Sequence, residues 1–338
     1  MNKAIRVAIT SERMNNRGYE LVFKTFSDLT LLELCTPIVY GSEKDAIELR
    51  NALGLQLNIN SVGKAEEAQD GKLNFCNAPE EGKQRAEADC QNGAADALVM
   101  IECRPADGQQ PLLVNGRVRI VVPTTTYDKE SLKAKVKELR DLLRRDFMLS
   151  TPRIALLAAN NRNEDGSWGA EETETIRPAV EELMEENVPA FGPYDATAFT
   201  DSRQYEQFDG ILANSKEQAL ALLDATEDAQ GAMLVEGPAY VVTAIRPNAK
   251  SCPKTAGEEP QEGQTLRNAI YLALDVVRHR ISYDRPFRHP LQKLYHEKKD
   301  DSEKVRFAIP KPKGEKKTAA AEEKAAEEKA AEETKTAE

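Results

Sequence analysis

The chain has 338 residues, of which 40% are hydrophobic and 30% charged, and its formal net charge is −11. That length is enough for one large domain or two smaller ones with a packed core. Nucleic acid is not an expected partner, because phosphate binding needs clustered lysine and arginine and the chain has no basic patch flanked by aromatic residues. We also expect no membrane association, since no apolar run approaches the length of a span and the N-terminal run is too short for a signal peptide.

Eight short apolar runs, rich in β-branched residues, predict strands. They are 4–10, 37–41, 96–102, 117–123, 153–158, 208–213, 232–237 and 240–245. Six amphipathic stretches predict helices, at 18–28, 43–53, 129–147, 170–187, 215–226 and 264–280. Strands that alternate with helices indicate an α/β fold with a mostly parallel sheet and helices on both of its faces.

The long charged helix predicted at 129–147 joins two such blocks, so we place a domain boundary near it. The prediction is a first α/β block at 1–125 and a second at 126–300, whose C-terminal part is free to pack back on the first. Residues 311–338 are rich in alanine, glutamate and lysine. Their five-residue repeat does not match the 3.6-residue helical turn and forms no apolar stripe, which indicates a solvated tail.

Five cysteines are scattered along the chain, and no two of them form a C-x-x-C pair. They are Cys35, Cys76, Cys90, Cys103 and Cys252. An odd and dispersed set argues against a disulfide framework and against a zinc site. The expected location is a reducing cytoplasm.

The usual motifs of catalysis and cofactor binding are absent from the sequence. It has no glycine-rich dinucleotide fingerprint, no P-loop, no nucleophile elbow and no H-E-x-x-H. The only histidines are His279, His289 and His296, so no earlier strand-end loop can supply an imidazole to catalysis or to a metal. We expect His279 at the end of the last helix, where the helix dipole favours a cation.

Residues 153–172, RIALLAANNRNEDGSWGAEE, have the pattern of a buried strand, an exposed loop and a helix start. Loops at the carboxyl ends of strands are where α/β proteins bind ligands. Glu171 and Glu172 are placed to meet the positive end of the helix dipole. Trp168, the only tryptophan, either stacks on a ligand or packs at the strand–helix junction.

Carboxylates near predicted strand ends are a further set of candidates. They are Glu12, Glu102, Asp165 and Glu236. Each could face a cleft, and each is more simply read as a solvated loop charge.

Several blocks of sequence occur in an order that is typical of one family. They are RGYELVFKTFSDLTLLELCTPIVYGS (17–42), PRIALLAAN (152–160), GAEETETIRPAVEELMEENVPAFGPYDA (169–196), FDGILANSKEQAL (208–220), LRNAIYLALDVVRHR (266–280) and HPLQKLYHEKKDDSEK (289–304). As a series they resemble the 4-hydroxythreonine-4-phosphate dehydrogenase (PdxA) family of vitamin B6 synthesis.

The resemblance implies a shortened fold of the isocitrate/isopropylmalate dehydrogenase type, with two α/β/α domains and mostly parallel sheets. It implies a homodimer with active sites at the subunit interface. It also implies NAD-dependent oxidation of a phosphorylated hydroxy amino acid, followed by decarboxylation. A divalent metal held by histidines would polarise the alcohol and carboxylate oxygens.

The sequence departs from the family at the residues that carry this chemistry. In the loop after the first strand, only Gly18 of the family's glycines remains. The family's Asn-Pro-His-Ala-Gly loop reads NNRNED, which keeps Asn160 and puts Arg162 at or near a metal histidine. Its Tyr-His-Asp-Gln-Gly loop reads SKEQA, with Lys216 for the histidine and Gln218 retained.

Other family positions are altered as well. The family's phosphate-grasping lysine aligns with Asp224, and its substrate asparagine and arginine align with Met233 and Val242. Only CRPADGQQPLLVNG stands where the family carries several dozen residues, including a Gly-His-Thr substrate loop. The remaining metal histidine, expected after the 117–123 strand, has no counterpart.

Arginine has no lone pair to give a metal, and a cationic lysine beside it would repel one. The leading hypothesis is therefore a pseudoenzyme with no catalytic residues, metal or cofactor, which acts through protein interaction. It would form a homodimer, or a heterodimer with a related protein.

Two alternatives remain open. The first is a protein that binds a small phosphate or carboxylate through Arg162 and Lys216, with Asn160, Gln218 and Gly18 as further ligand-binding candidates. The second is a residual family dehydrogenase with an altered substrate, which would need NAD and a divalent metal.

Overall fold

Alternating apolar residues in β1 (Ile5–Thr10) show how the sheet is covered: Val7 and Ile9 join the core on one face of the sheet, and Ala8 joins the core on the other. In the computed structural model, the described residues are 4–12, 14–102, 111–121, 128–160, 162–163, 165–225, 232–235, 240–245 and 262–288. The predicted tail at 311–338 lies outside them, as do His289, His296, Glu236, Cys103 and Cys252. The described cysteines Cys35, Cys76 and Cys90 are free and buried.

Twelve described strands form one sheet. After β1 come β2 (Cys35–Gly41), β3 (Ile59–Val62), β4 (Leu73–Asn77), β5 (Ala97–Met100), β6 (Pro111–Asn115), β7 (Val118–Val121), β8 (Ile154–Leu157), β9 (Ala190–Tyr194), β10 (Gly210–Leu212), β11 (Ala232–Val235) and β12 (Val241–Ile245). Their order across the sheet is β3-β4-β2-β1-β5-β12-β11-β6-β7-β10-β8-β9.

Two groups of parallel strands point in opposite directions within this sheet. The pairs from β3 to β12 are parallel, and so are those from β7 to β9. Between the groups, β12–β11, β11–β6 and β6–β7 are antiparallel. Each antiparallel pairing reverses the strand direction, and three reversals leave the second group running opposite to the first. The carboxyl ends of β1 and of β8 therefore lie at opposite edges of the sheet.

The described helices cover both faces. They are α1 (Asn16–Phe26), α2 (Thr30–Leu34), α3 (Glu43–Ala52), α4 (Gly82–Gln91), α5 (Lys129–Asp146), α6 (Arg177–Glu185), α7 (Ala196–Asp201), α8 (Lys216–Ala225) and α9 (Glu262–Arg288). One core contains the apolar stripes of α1, α5, α6 and α9, and the other contains those of α4, α7 and α8. The predicted α/β class, with a mostly parallel sheet between two helical layers, is confirmed.

The domain boundary near residue 125 stays a prediction. The chain up to Arg285 forms one compact unit, and strands from both predicted blocks share its sheet. In particular, β12 pairs with β5, and β10 pairs with β7.

All eight predicted strands are present, and four strands were missed: β3, β4, β6 and β9. The missed strands contain asparagine, glycine or proline, which weaken local strand patterns. At β9 the glycine is required by packing, because a Cβ at Gly192 would lie 2.5 Å from the Leu156 carbonyl oxygen. Helices α2, α4 and α7 are short or weakly amphipathic and were also missed.

The last helix extends further than predicted, and His279 lies inside it rather than at its end. Two ion pairs hold the C-terminal half of this helix against α5: Arg280, at the end of the predicted stretch, binds the buried Asp146 at 2.8 and 2.7 Å, and Asp284, in the added turns, binds Arg145 at 2.8 Å. His279 Nδ1 lies 2.8 Å from the Asp146 carbonyl oxygen. The prediction of a terminal His279 was therefore wrong, because tertiary contacts stabilise residues beyond the periodic stretch.

Candidate functional site at the ends of β8 and β10

The loop after β8 is organised by its own polar side chains. Asn163 N–H donates to the Ser167 carbonyl at 3.0 Å, and Gly166, at a φ of 79°, closes the turn by donating to Asn163. Ser167 donates its hydroxyl and its N–H to Asp165, and these bonds hold the pKa of Asp165 below its usual value. Asp165 therefore stabilises a turn. It is exposed, which agrees with the simpler of its two interpretations, a solvated loop charge.

Arg162 is oriented by a residue of the same loop. Its Nη1 donates to the Gly166 carbonyl at 2.9 Å, and its guanidinium carbon lies 4.3 Å from the centre of the Trp168 ring. Such a cation–π contact favours this orientation of the arginine. Trp168 thus packs against an arginine within the loop, while the guanidinium remains exposed to solvent.

Asn160 is tied to two glutamates at the start of the following helix. Its backbone N–H donates to Glu172 Oε1 at 2.7 Å, and its Nδ2 lies 3.3 Å from Glu171 Oε2. Glu172 has no exposed surface, and its Oε2 has no hydrogen-bond partner. Glu172 begins a π-helical turn, Glu172–Ile176, that leads into α6.

The predicted position of Glu172 in the first turn of the helix is confirmed. The structure adds that its side chain is buried beneath the loop and accepts from the Asn160 N–H. The π-helical turn at this point was not predicted; such turns often occur at functional sites, and periodicity alone does not reveal them.

Gln218 joins the ends of two neighbouring strands. Its Nε2 donates to the Ala158 carbonyl after β8 at 2.9 Å, and its Oε1 accepts from the Asn214 N–H after β10 at 3.0 Å. Asn214 Nδ2 reaches the Leu157 carbonyl at 2.5 Å. Lys216, the first residue of α8, is exposed. Both Gln218 and Asn214 therefore serve the local structure, and sequence reasoning did not identify Asn214.

Gly18 is not brought to this site. It lies in α1, after β1, whose carboxyl end is at the opposite edge of the sheet from those of β8 and β10. The Asn15 side chain caps the helix by accepting from Gly18 N–H at 3.0 Å. A Cβ at Gly18 would lie 3.0 Å from Met14 Sδ, so glycine permits close packing there.

Comparison with known proteins identifies the family. The chain is 35% identical to the 4-hydroxythreonine-4-phosphate dehydrogenase of Bacteroides thetaiotaomicron over 355 aligned residues, which cover 90% of this chain and 97% of that protein. The chain belongs to the 4-hydroxythreonine-4-phosphate dehydrogenase family. Residues 118–273 match the family described as pyridoxal phosphate biosynthetic protein PdxA. The enzyme of the same name from Acidithiobacillus ferrooxidans is 27% identical over 66% of this chain and 77% of its own length.

Solved structures of the family share the fold. A putative 4-hydroxythreonine-4-phosphate dehydrogenase from Salmonella typhimurium superposes with a TM-score of 0.64 at 16% identity, covering 81% of this chain and all of that one. The enzyme from Burkholderia phymatum gives a TM-score of 0.59 at 19% identity, over 81% of this chain and 99% of that one. At these identities the likeness shows the fold alone.

The residues at this site do not fit the divalent metal of the family. Metals bind through lone pairs of imidazole, carboxylate or thiolate groups, and Arg162 and Lys216 offer none. Within the described ranges, no group of three or more histidine, cysteine, aspartate and glutamate side chains is arranged to hold a metal. We therefore derive no metal-dependent step for this chain.

No helix of the described residues is both long enough and apolar enough to cross a membrane. Whether Arg162 and Lys216 converge on one ligand stays a prediction.

Proposed function

We propose that this chain is a family member without 4-hydroxythreonine-4-phosphate dehydrogenase activity, which acts by associating with itself or with a catalytically competent relative. The observation that carries the proposal is the side-chain set at the ends of β8 and β10. Arg162 and Lys216 stand at or near the positions of metal histidines, and Asn160 and Gln218 hold the surrounding loops together.

The chemistry of the family explains why these replacements matter. In the family's reaction, a divalent metal ion acts as a Lewis acid that stabilises the negative charge developing on the alcohol oxygen. A guanidinium and an ammonium cannot coordinate that ion, and their charge opposes its approach. Replacing several ligands at once therefore removes the site rather than weakening it.

Association is supported by the scaffold that remains. The chain spans 97% of its Bacteroides relative, and buried apolar residues form a core on each face of the sheet. Large apolar side chains are exposed on two helices, namely Met184 on α6 at 48%, and Tyr271 and Ile281 on α9 at 37% and 56%. Both helices pack on the same face of the sheet, and a partner that covered these side chains would remove apolar surface from water.

Activity is tested directly by NAD reduction with 4-phosphohydroxythreonine in the presence of magnesium, zinc or cobalt. The Bacteroides thetaiotaomicron relative serves as the active control under the same conditions. We expect no turnover above the enzyme-free background for this chain. Metal-dependent turnover would contradict the proposal and support a residual dehydrogenase.

Association is tested separately by measuring mass in solution, first for this chain alone and then mixed with a catalytically active relative from the same cell. We expect a dimer in at least one of the two samples. A monomer in both, at micromolar concentration, would contradict the proposal even if the activity assay supports it.

A second candidate function, binding of a small anion, is favoured by the stacking of Arg162 on Trp168. Because Trp168 is the only tryptophan, its fluorescence reports on this loop. Titration with phosphate or acetate should change the emission, and Arg162→Ala or Lys216→Ala should weaken the response. Lys44→Ala, at an exposed lysine on α3, is the matched control. An unchanged emission at millimolar anion would rule this function out.

A further inference from the structure

The two outermost strands of the described sheet differ in the features that keep a further strand from pairing with them. One of them is β9, where Pro193 has no N–H to donate and the pairing with β8 shifts register. The other is β3, which pairs with β4 in regular register and contains no proline. Prolines and irregularities block the addition of a strand, and β3 has neither of these protections.

The sequence around β3 carries no charge. Residues 51–63, NALGLQLNINSVG, contain no lysine, arginine, aspartate or glutamate, although 30% of the chain is charged. It is the longest stretch of the chain without a charged residue. Charged side chains, lysine above all, are a further common protection of outermost strands. The strand β3 lacks this protection too, and it presents a neutral edge.

The backbone on either side of β3 is held in place. Arg50 Nη1 donates to the Leu57 carbonyl at 3.2 Å, and the Gly63 N–H donates to Glu67 Oε2 at 3.0 Å. Between these points, β4 is the one neighbour of β3 in the described sheet. The backbone N–H and C=O groups on the other side of an outermost strand are available to a partner strand. Because the strand is already fixed, a partner loses less entropy in ordering it.

We propose that β3 pairs antiparallel with β3 of a second copy of this chain, about a two-fold axis. The proposal rests on the self-association proposed above and gives it a surface apart from the exposed side chains of α6 and α9. Two-fold pairing places the strand opposite itself, so any charge on it would meet a charge of its own sign. Copies of a chain with a net charge of −11 repel each other, and an uncharged strand keeps like charges out of the contact.

Side chains beside β3 also suit a second copy. Gln56 and Asn58 are exposed, and an amide both donates and accepts, so each can hydrogen-bond to its own kind. Leu53, which is 42% exposed, offers apolar surface for a partner to cover. Pairing of so short a strand makes a small interface, and we expect a dissociation constant on the order of tens of micromolar.

The test is sedimentation equilibrium of the full chain and of charge variants, from about 1 to 200 µM, a range that spans such a dissociation constant. Asn58→Lys and Asn58→Asp each set like charges against each other, and each should weaken self-association about tenfold. An equimolar mixture of the two variants should recover the original affinity, because opposite charges then face each other. Gln91→Lys, at the exposed end of α4, is the matched control and should leave the affinity unchanged.

Amide hydrogen exchange locates the contact on the chain. Amides of Ile59–Val62 that do not donate to β4 should exchange about fivefold more slowly at about 200 µM than at about 1 µM, because mass action favours the dimer. Amides of β9 should exchange at the same rate at both concentrations. Equal rates at both concentrations in Ile59–Val62 would overturn the proposal.

Two further results would overturn the proposal and still leave the proposed function to its own tests. One is a dimer of equal affinity in the Asn58→Lys, Gln91→Lys and unaltered chains, which would confirm association and move it to another surface. The other is an unaltered chain that stays monomeric alone up to about 200 µM, after which the mixture with an active relative decides the proposed function. Failure of the mixed Asn58 variants to recover the affinity would contradict the pairing of strand against strand.

Discussion

The backbone N–H of Asn160 donates to the buried carboxylate of Glu172 at 2.7 Å, and this bond joins the loop after β8 to the first turn of the next helix. One oxygen of that carboxylate holds the loop, and the other has no partner. The bond sets the position of the segment that carries Arg162.

Removing the Glu172 carboxylate should loosen this loop. Glu172→Ala removes a buried side chain and the acceptor of the part-buried Asn160 N–H, and we expect a loss of about 1–3 kcal/mol in the free energy of unfolding. Hydrogen exchange at Asn160 should accelerate. Glu172→Gln keeps an acceptor and should retain the slow exchange.

The matched control is Glu174→Ala, at an exposed position of the same π-helical turn. It should change the free energy of unfolding by less than about 0.5 kcal/mol. Equal effects of Glu172→Ala and Glu174→Ala would show that the buried bond has no special role.

Changing the Gln218 amide to a carboxylate should separate the ends of β8 and β10. In Gln218→Glu, an oxygen replaces the nitrogen that donates to Ala158 O, so two acceptors face each other. We expect the free energy of unfolding, measured by chemical denaturation, to fall by about 1–3 kcal/mol. Glu217→Gln, at the exposed neighbouring position, is the control, and comparable losses in the two variants would contradict the assignment.

Breaking the ion pair between α5 and α9 should have the largest effect on stability. Asp146 is 2% exposed and holds Arg280 through two bonds. Asp146→Ala leaves the largely buried guanidinium of Arg280 without its partner. We expect the free energy of unfolding, measured with denaturant, to fall by about 3–5 kcal/mol. Arg278→Ala removes an exposed arginine that lies 3.7 Å from Asp275, and it should cost less than about 0.5 kcal/mol.

Stability in acid should depend on Glu182. Hydrogen bonds from Lys129 and Lys133 lower the pKa of Glu182 from 4.5 to about 2. A lowered folded-state pKa stabilises the fold above the unfolded pKa, and that contribution is lost as the pH falls from 4.5 toward 2.

Thermal unfolding of Glu182→Gln and of the unaltered chain measures this contribution. The difference in Tm should be largest near neutral pH and should shrink below pH 4.5. Glu181→Gln, at the exposed adjacent residue, should show no such change. A difference that stays constant down to pH 3 would refute the linkage to Glu182.

Much of the fold could be predicted from local pattern. The eight predicted strands and six predicted helices are all present, because each has enough apolar periodicity to be recognised alone. Strands such as β4 (Leu73–Asn77) and β9 (Ala190–Tyr194) could not be found in this way. Asn74 lies fully buried in β4 because it accepts from Asn60 at 2.7 Å and donates to carbonyls such as that of Pro37 at 3.1 Å.

The sequence by itself determined that Arg162 and Lys216, as cations, offer no lone pair to a metal, because that is a property of the side chain. That they stand at or near the positions of metal-binding histidines is a prediction from the family resemblance. Only the tertiary structure decided that Arg162 stacks on Trp168 and that Gln218 links the ends of two strands. Such contacts join residues that are distant in sequence or separated by an irregular turn, and they follow from packing and hydrogen bonding that no local pattern encodes.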